Sequence, residues 1–159
     1  GSPLYWGKSF FGAGSTARCG SDSLSRADRF GNGQYFGISA SAENIARAAK
    51  HTILTCEKLV DQELIRKTPN LTIVPGYTVD AVCEVPFASH PWNMAYDYIY
   101  DLPFHSQQMK AFKTREGFET WMERYCYGVE DWNGYLREVG FERLMKLHQM
   151  EEKFNPSVY

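Results

Sequence analysis

The sequence predicts an α/β protein with a short sheet and a helical C-terminal third. Three observations carry that prediction. "HTILTCEKLV", residues 51–60, is an apolar, β-branched run of the length of a buried strand. Val79, Ala81, Cys83 and Val85 alternate with Asp80, Val82 and Glu84, which is the period of a second strand ended by Pro86. From Thr114 onward the apolar residues change to helical spacing. With 159 residues, the chain has room for about one domain.

The N-terminal residues 1–37 are rich in Gly and Ser and read as loop and turn, with short strands at most. Asn32-Gly33 is a turn signal, and the following "QYFGI" is a candidate strand. Ser41 can cap a helix carrying Ile45, Ala46, Ala48 and Ala49. The strand at 51–60 follows. Asp61 opens "DQELIRK", which stops before Pro69 because a residue preceding proline avoids helical geometry. "LTIVPG" is extended and turns at Pro75-Gly76. Thr114 caps a helix with Phe118, Trp121, Met122 and Tyr125 on one face, closed by Gly128. Asp131 caps the next, with Trp132, Tyr135, Leu136 and Val139 together. After Gly140 a third carries Phe141, Leu144, Met145 and His148. Three to five strands are fewer than a complete doubly wound domain requires, so the sheet reads as half of something.

Composition narrows the function classes. A net charge of −2, with scattered Lys and Arg, argues against an electrostatic nucleic-acid binder. No apolar run approaches the length that spans a bilayer, and no signal peptide is visible. Gly1-Ser2 read as an expression scar, with the native N-terminus missing. Cys19, Cys56, Cys83 and Cys126 form no C-x-x-C pair, so neither a zinc site nor a disulfide framework is expected and the location reads as cytoplasmic. Ten Tyr and four Trp are more than one small core hides, which points to oligomerisation.

Candidate chemistry is sparse. Gly7-Lys8-Ser9 lacks the upstream glycine of a phosphate-binding loop. Gly12 and Gly14 have no third glycine at dinucleotide spacing, since Gly20 falls too late. Glu57 stands at the C-terminal end of the first good strand, the edge where open α/β sheets place ligands. A carboxylate there is a competent nucleophile toward a thioester, and it is equally plain polar punctuation. His90 lies past the second strand between Ser89 and Pro91; it is read as a hydrogen-bonded structural histidine in a subunit contact. His51, His105 and His148 show no partner pattern and read as surface or helix-end groups. Tyr96, Tyr98 and Tyr100 read as an extended segment or an aromatic interface stripe, and no basic residues interleave as a nucleic-acid groove needs. Glu57, His90, Tyr96 and Tyr98 are therefore candidates for a cleft or interface, with no residue assigned to catalysis or to metal.

The order of motifs adds a resemblance. "AAKHTILTCEKLVD", "VPGYTVDAVCEVPF", the A-x-H-P of Ala88–Pro91 and "YGVED…YL…G…RL" resemble, in this order and spacing, the C-terminal half of the A-type subunit of family I CoA-transferases. The nearest branch is similar to glutaconate and 3-oxoacid CoA-transferases. Residues 26–159 form the similar region and residues 1–25 a Gly/Ser-rich segment of other origin. The resemblance implies a partial three-layer CoA-transferase-like fold of the NagB/RpiA-like kind. It also implies movement of CoA between an acyl-CoA and a carboxylic acid. In that chemistry a glutamate attacks the thioester, giving an acyl-glutamyl anhydride and then a glutamyl-CoA thioester.

In the heteromeric members that glutamate belongs to the B-type subunit, and the site lies between the two kinds of subunit. Glu57 is not in the family's nucleophile motif, and a full A-type subunit is about twice this length. The expectation is a truncated homologue that is not catalytic alone. CoA or acyl-CoA is its possible ligand, without a covalent cofactor, and its partner is a B-type subunit or a second copy. The alternative is a free-standing, non-catalytic module that self-associates or binds acyl-CoA.

Overall fold

A computed structural model describes residues 19–37 and 42–154. The chain forms two compact units, Gly1–Ser89 and His90–Tyr159. The Gly7-Lys8-Ser9 loop, Gly12, Gly14 and the Ser41 cap lie outside the described residues.

The first unit is built on a five-stranded mixed sheet. Its strands are β1 (Cys19–Ala27), β2 (Gly33–Gln34), β3 (His51–Leu59), β4 (Thr72–Val74) and β5 (Ala81–Glu84), in the order β4-β2-β1-β3-β5. β1, β3 and β5 are parallel; β2 runs antiparallel to both β1 and β4. Helix α1 (Ala42–Ala48) precedes β3 and α2 (Gln62–Lys67) follows it. The alternation of helix and strand in sequence thus becomes the parallel part of the sheet.

The core gathers Leu24, Ala27, Leu54, Cys56 and Val74 with Ala42 and Ala46 of α1. Gly33 is glycine because a Cβ there would stand 2.3 Å from Leu24 Cδ1. Polar groups in this unit are tied to one another. Arg26 donates through Nε to Gln34 Oε1 (2.9 Å) and through Nη2 to Thr68 Oγ1 (3.1 Å). Gln34 Nε2 donates to the carbonyls of Ile65 (3.1 Å) and Thr68 (2.7 Å). β1 and β2 are thereby fastened to the C-terminal end of α2.

Two expectations need correction. The segment read as loop contains β1, a nine-residue strand between β2 and β3. Its pairing with β3 over residues 19–27 outweighs the low strand propensity of "CGSDSLSRA", because propensity yields to neighbours inside a sheet. This strand also crosses the boundary expected between residues 25 and 26. In β5 the inward residue is Val82, opposite Leu54, while Ala81 and Cys83 are exposed. Cys83 is thus a free surface thiol, and Cys56, at 0% exposure, is the buried one.

The second unit is helical. After the 90–101 loop come α3 (Leu102–Ala111), α4 (Arg115–Met122), α5 (Trp132–Val139) and α6 (Phe141–Phe154). Thr114 Oγ1 accepts the Gly117 amide and Asp131 Oδ1 the Gly134 amide, so both expected caps form. α3 was not anticipated. Its start is nonetheless written in the sequence: Asp101 caps it by accepting the Phe104 amide (3.0 Å), and Pro103 occupies its first turn. α4 runs into a single π-helical turn, Glu123–Tyr127, before Gly128. α5 ends at Gly140, whose φ of +98° suits a residue without Cβ. Phe104 is the hub of an aromatic core, with Trp121 and Tyr125 edge-on at 5.0 and 5.1 Å between ring centroids. Leu144 and Leu147 of α6 are buried, and Ile99 donates its amide to the Leu147 carbonyl. No described helix is long and apolar enough to cross a membrane.

Candidate functional site

Glu57 is held at the end of β3, as its position in sequence predicts. Its Oε2 accepts the backbone amide of Phe87 at 2.6 Å. Glu84 of β5 returns the arrangement, accepting the Leu59 amide at 2.6 Å. Each strand's terminal carboxylate therefore secures the chain leaving its neighbour. Phe87 has a φ of +60°, a conformation that costs a bulky residue energy and that the Glu57 bond helps to hold. Beneath them lies Cys56. Burial, with the negative charges of Glu84 and Glu57 adding to it, pushes its thiol up to about 11. It stays protonated at neutral pH and is a poor nucleophile.

His90 opens the second unit and is buried within it. The peptide bond to Pro91 is cis. Nε2 lies 3.2 Å from Asp101 Oδ2 and Nδ1 lies 2.7 Å from the Tyr135 hydroxyl. A carboxylate only accepts, so neutral His90 carries its proton on Nε2 and its Nδ1 accepts from Tyr135. Asp101 also receives the Arg143 guanidinium at both oxygens, with Nη2 at 2.7 Å from Oδ1. The group is a chain of Tyr135, His90, Asp101 and Arg143, with Phe104 edge-on to the imidazole at 4.7 Å. Burial lowers the His90 pKa, and the opposing pull of Asp101 does not restore it. Burial alone would raise the Asp101 carboxyl, yet Arg143, the Phe104 amide and His90 together hold it below its ordinary value. The Tyr135 phenol is raised by burial.

At neutral pH this gives a neutral imidazole, an ionised carboxylate and a protonated phenol. Both ring nitrogens are occupied, and the His90 and Asp101 side chains are shielded from solvent. The arrangement fixes the 90–101 loop to α3, α5 and α6. As expected from sequence, His90 is hydrogen-bonded; Asp101, Tyr135 and Arg143 were not identified with it. Their separations of 11, 45 and 53 residues match no motif, and the Asp101 cap is the one local sign that could have pointed there.

The two tyrosine candidates part company. Tyr98 is 1% exposed and packs in the interior of the helical unit, so it belongs to no exposed stripe. Tyr96 is 41% exposed at the tip of a tight turn closed by reciprocal hydrogen bonds between Met94 and Tyr98. Its φ is +67°, and its amide donates to the buried Glu151 carboxylate at 2.8 Å. The alternation of 96, 98 and 100 is thus that of a turn with a buried base, not of an extended strand. The other histidines have partners after all. His51 faces Asp80, His105 meets the Tyr100 hydroxyl and the Trp92 ring, and His148 meets the Asp97 carbonyl.

Comparison with known proteins sets these residues in a family, although no protein-family model matches the chain. The A-type subunit of glutaconate CoA-transferase from Acidaminococcus fermentans is 38% identical over 104 residues, which are 65% of this chain and 32% of that protein. The A-type subunit of 3-oxoadipate CoA-transferase from Pseudomonas knackmussii is 32% identical over 114 residues, covering 72% of this chain and 40% of that one. The crystal structure of the A. fermentans glutaconate coenzyme A-transferase superposes with a TM-score of 0.79 at 32% identity, over 83% of this chain and 42% of that chain. The chain spans less than half the length of these relatives. Over the region they share, sequence and fold agree, and the chain belongs to the family of CoA-transferase A-type subunits.

Proposed function

We propose that this chain supplies the A-type part of a CoA-transferase-like site, binds CoA or acyl-CoA without a covalent bond, and relies on a B-type subunit for the nucleophile. One observation supports the last point. Glu57 is the carboxylate best placed by topology, at the C-terminal end of a parallel strand. Its oxygen is engaged by the Phe87 amide, which stabilises the anion and blunts its attack on a thioester. In the second unit Asp101 is committed to Arg143 and His90. Both carboxylates serve the fold.

Two assays test this. A native-state ligand raises the melting temperature by mass action, so CoA and acetyl-CoA should each raise it in a saturable way. The chain alone should not move CoA from acetyl-CoA to a second carboxylate. Transfer at enzymic rates by the chain alone, lost in Glu57→Gln, would place the nucleophile here and overturn the reading.

The alternative of a self-associating module is favoured by a different observation. Trp92, Tyr127, Phe141 and Phe154 of the helical unit are 47%, 61%, 71% and 74% exposed. Aromatic side chains so exposed suit a protein contact. Sedimentation over a concentration series separates the two, since a strict monomer at high concentration removes the self-associating reading.

A further inference from the structure

Within the helical unit, α3 and α4 flank a groove with a cavity volume of about 410 Å³. That lies in the range of small-ligand pockets, roughly 300–1,000 Å³. We propose that this groove binds the adenine nucleotide portion of CoA, a reading that rests on the acyl-CoA function above.

Four features of the groove support the assignment. Its wall is aromatic: Trp121 and Tyr125 lie 4.5 Å apart between ring centroids, inclined at 41°. Such a wall suits a flat heteroaromatic ring, because every base offers a π-face. Next, Gln107 and Glu116 bring an amide and a carboxylate to the lining. A carboxylate accepts from an exocyclic amine, and an amide both donates to and accepts from the edge of a purine. Arg124 supplies the opposite charge. Its Nε is paired with Glu138, but a guanidinium has five N–H donors and can also meet a phosphate.

A carboxylate that accepts from an amine and a guanidinium that meets an anion suit a nucleotide better than a short acyl group. Lastly, Arg124 and Tyr125 stand in the π-helical turn, where the Gly128 amide reaches back five residues to the Glu123 carbonyl. A π turn interrupts regular helix bonding, changes which side chains face a groove, and is frequent at functional sites.

The test uses the full chain and adenosine 3′,5′-bisphosphate. Binding is followed at the Trp121 indole N–H resonance, assigned by Trp121→Phe. Saturable binding is expected. Arg124→Gln, at an exposed position, should weaken it by about tenfold, as loss of one charge-assisted contact predicts. Thr120→Trp, which fills the groove from an exposed position on α4, should abolish it with the far-ultraviolet spectrum unchanged. No response at Trp121 up to millimolar ligand overturns the proposal, as does unchanged binding in both variants. CoA that raises the melting temperature of Thr120→Trp as fully as that of the native chain removes the groove and leaves the acyl-CoA reading standing. Bisphosphate bound in the groove while intact CoA and acetyl-CoA have no effect supports a nucleotide groove and removes the acyl-CoA reading.

Discussion

The sheet unit and the helical unit give their buried polar groups different partners. In the sheet unit Gln34 is completely buried but uncharged, and its amide is spent on two backbone carbonyls. Of the carboxylates there, Glu57 and Glu84 hold amides at the strand ends, and Asp28, with no exposed surface, accepts from the Phe30 and Asn32 amides and the Asn32 side chain, which are neutral donors. The helical unit instead sets its buried carboxylate, Asp101, against an imidazole and a guanidinium. A neutral buried group costs little once its hydrogen bonds are made, whereas a buried charge depends on every partner remaining. Removing one member of a buried charge pair leaves the other charge unpaired, so the helical unit should lose more from a single change within its charged group, and the sheet unit more from lost packing.

The sharpest way to break that contrast is Asp101→Ala. It removes the cap of α3, strips Arg143 of its ion pair and leaves Nε2 of His90 without an acceptor. Loss of one partner from a buried pair costs about 3–5 kcal/mol. Urea denaturation followed by tryptophan fluorescence is the measurement, because Trp92, Trp121 and Trp132 all lie in this unit. A loss under about 1 kcal/mol, the cost of a cap alone, would mean the buried charges contribute nothing.

In the sheet unit the comparable loss should come from an apolar residue. Leu54 has no exposed surface and packs in the core with Leu24, Cys56 and Val74. Leu54→Ala should cost about 3 kcal/mol through the cavity it leaves. Urea denaturation is again the measurement, and a loss under about 1 kcal/mol would show that the core closes over the space Leu54 leaves.

Acid should separate the units as well. A neutral His90 has a folded pKa below its unfolded value of about 6.5, so the unfolded chain binds more protons as pH falls through that value. Stability therefore declines first below about pH 6.5. Asp101 is also lowered on folding; its contribution is complete above the ordinary carboxylate range near 3.9 and is lost as pH falls below it. The helical unit should weaken in two steps on acidification. His90→Gln should remove the first step and leave the second; a first step that survives it belongs to another group.

These two units were unequally legible in the sequence. β3 declares itself through Ile53, Leu54 and the β-branched residues around them. Among the described residues of its neighbour β1, Leu24 and Ala27 are the apolar ones in the core, and the sequence "CGSDSLSRA" is otherwise that of a turn. What makes β1 a strand is its pairing with β3, a long-range fact that no local window contains. In the helical unit Thr114 and Asp131 could be read because a cap and its amide are three residues apart. The group around His90 could not, because its members meet only once α3, α5 and α6 have packed. Glu57 was placed by topology alone, and its bond to Phe87 depends on a backbone turn that sequence does not reveal.

The smallest effects concern two residues with positive φ in the helical unit, and they should have opposite signs. Gly140, at +98°, ends α5 with open space where a Cβ would stand. Gly140→Ala meets no neighbour there, and its cost, about 1 kcal/mol, comes from the backbone alone. Tyr96, at +67°, adopts a conformation that glycine reaches freely. Relief of the left-handed penalty favours Tyr96→Gly by about 1–2 kcal/mol, while the added freedom of the unfolded chain opposes it by about 0.5–1 kcal/mol. The phenol is 41% exposed, so little packing is lost. A net gain of a few tenths of a kcal/mol is expected, read as a higher urea midpoint at unchanged slope. A clear loss would show that the Tyr96 ring, and not only the Glu151 bond to its amide, holds the turn; the buried polar groups of the helical unit would then share that task with an exposed aromatic.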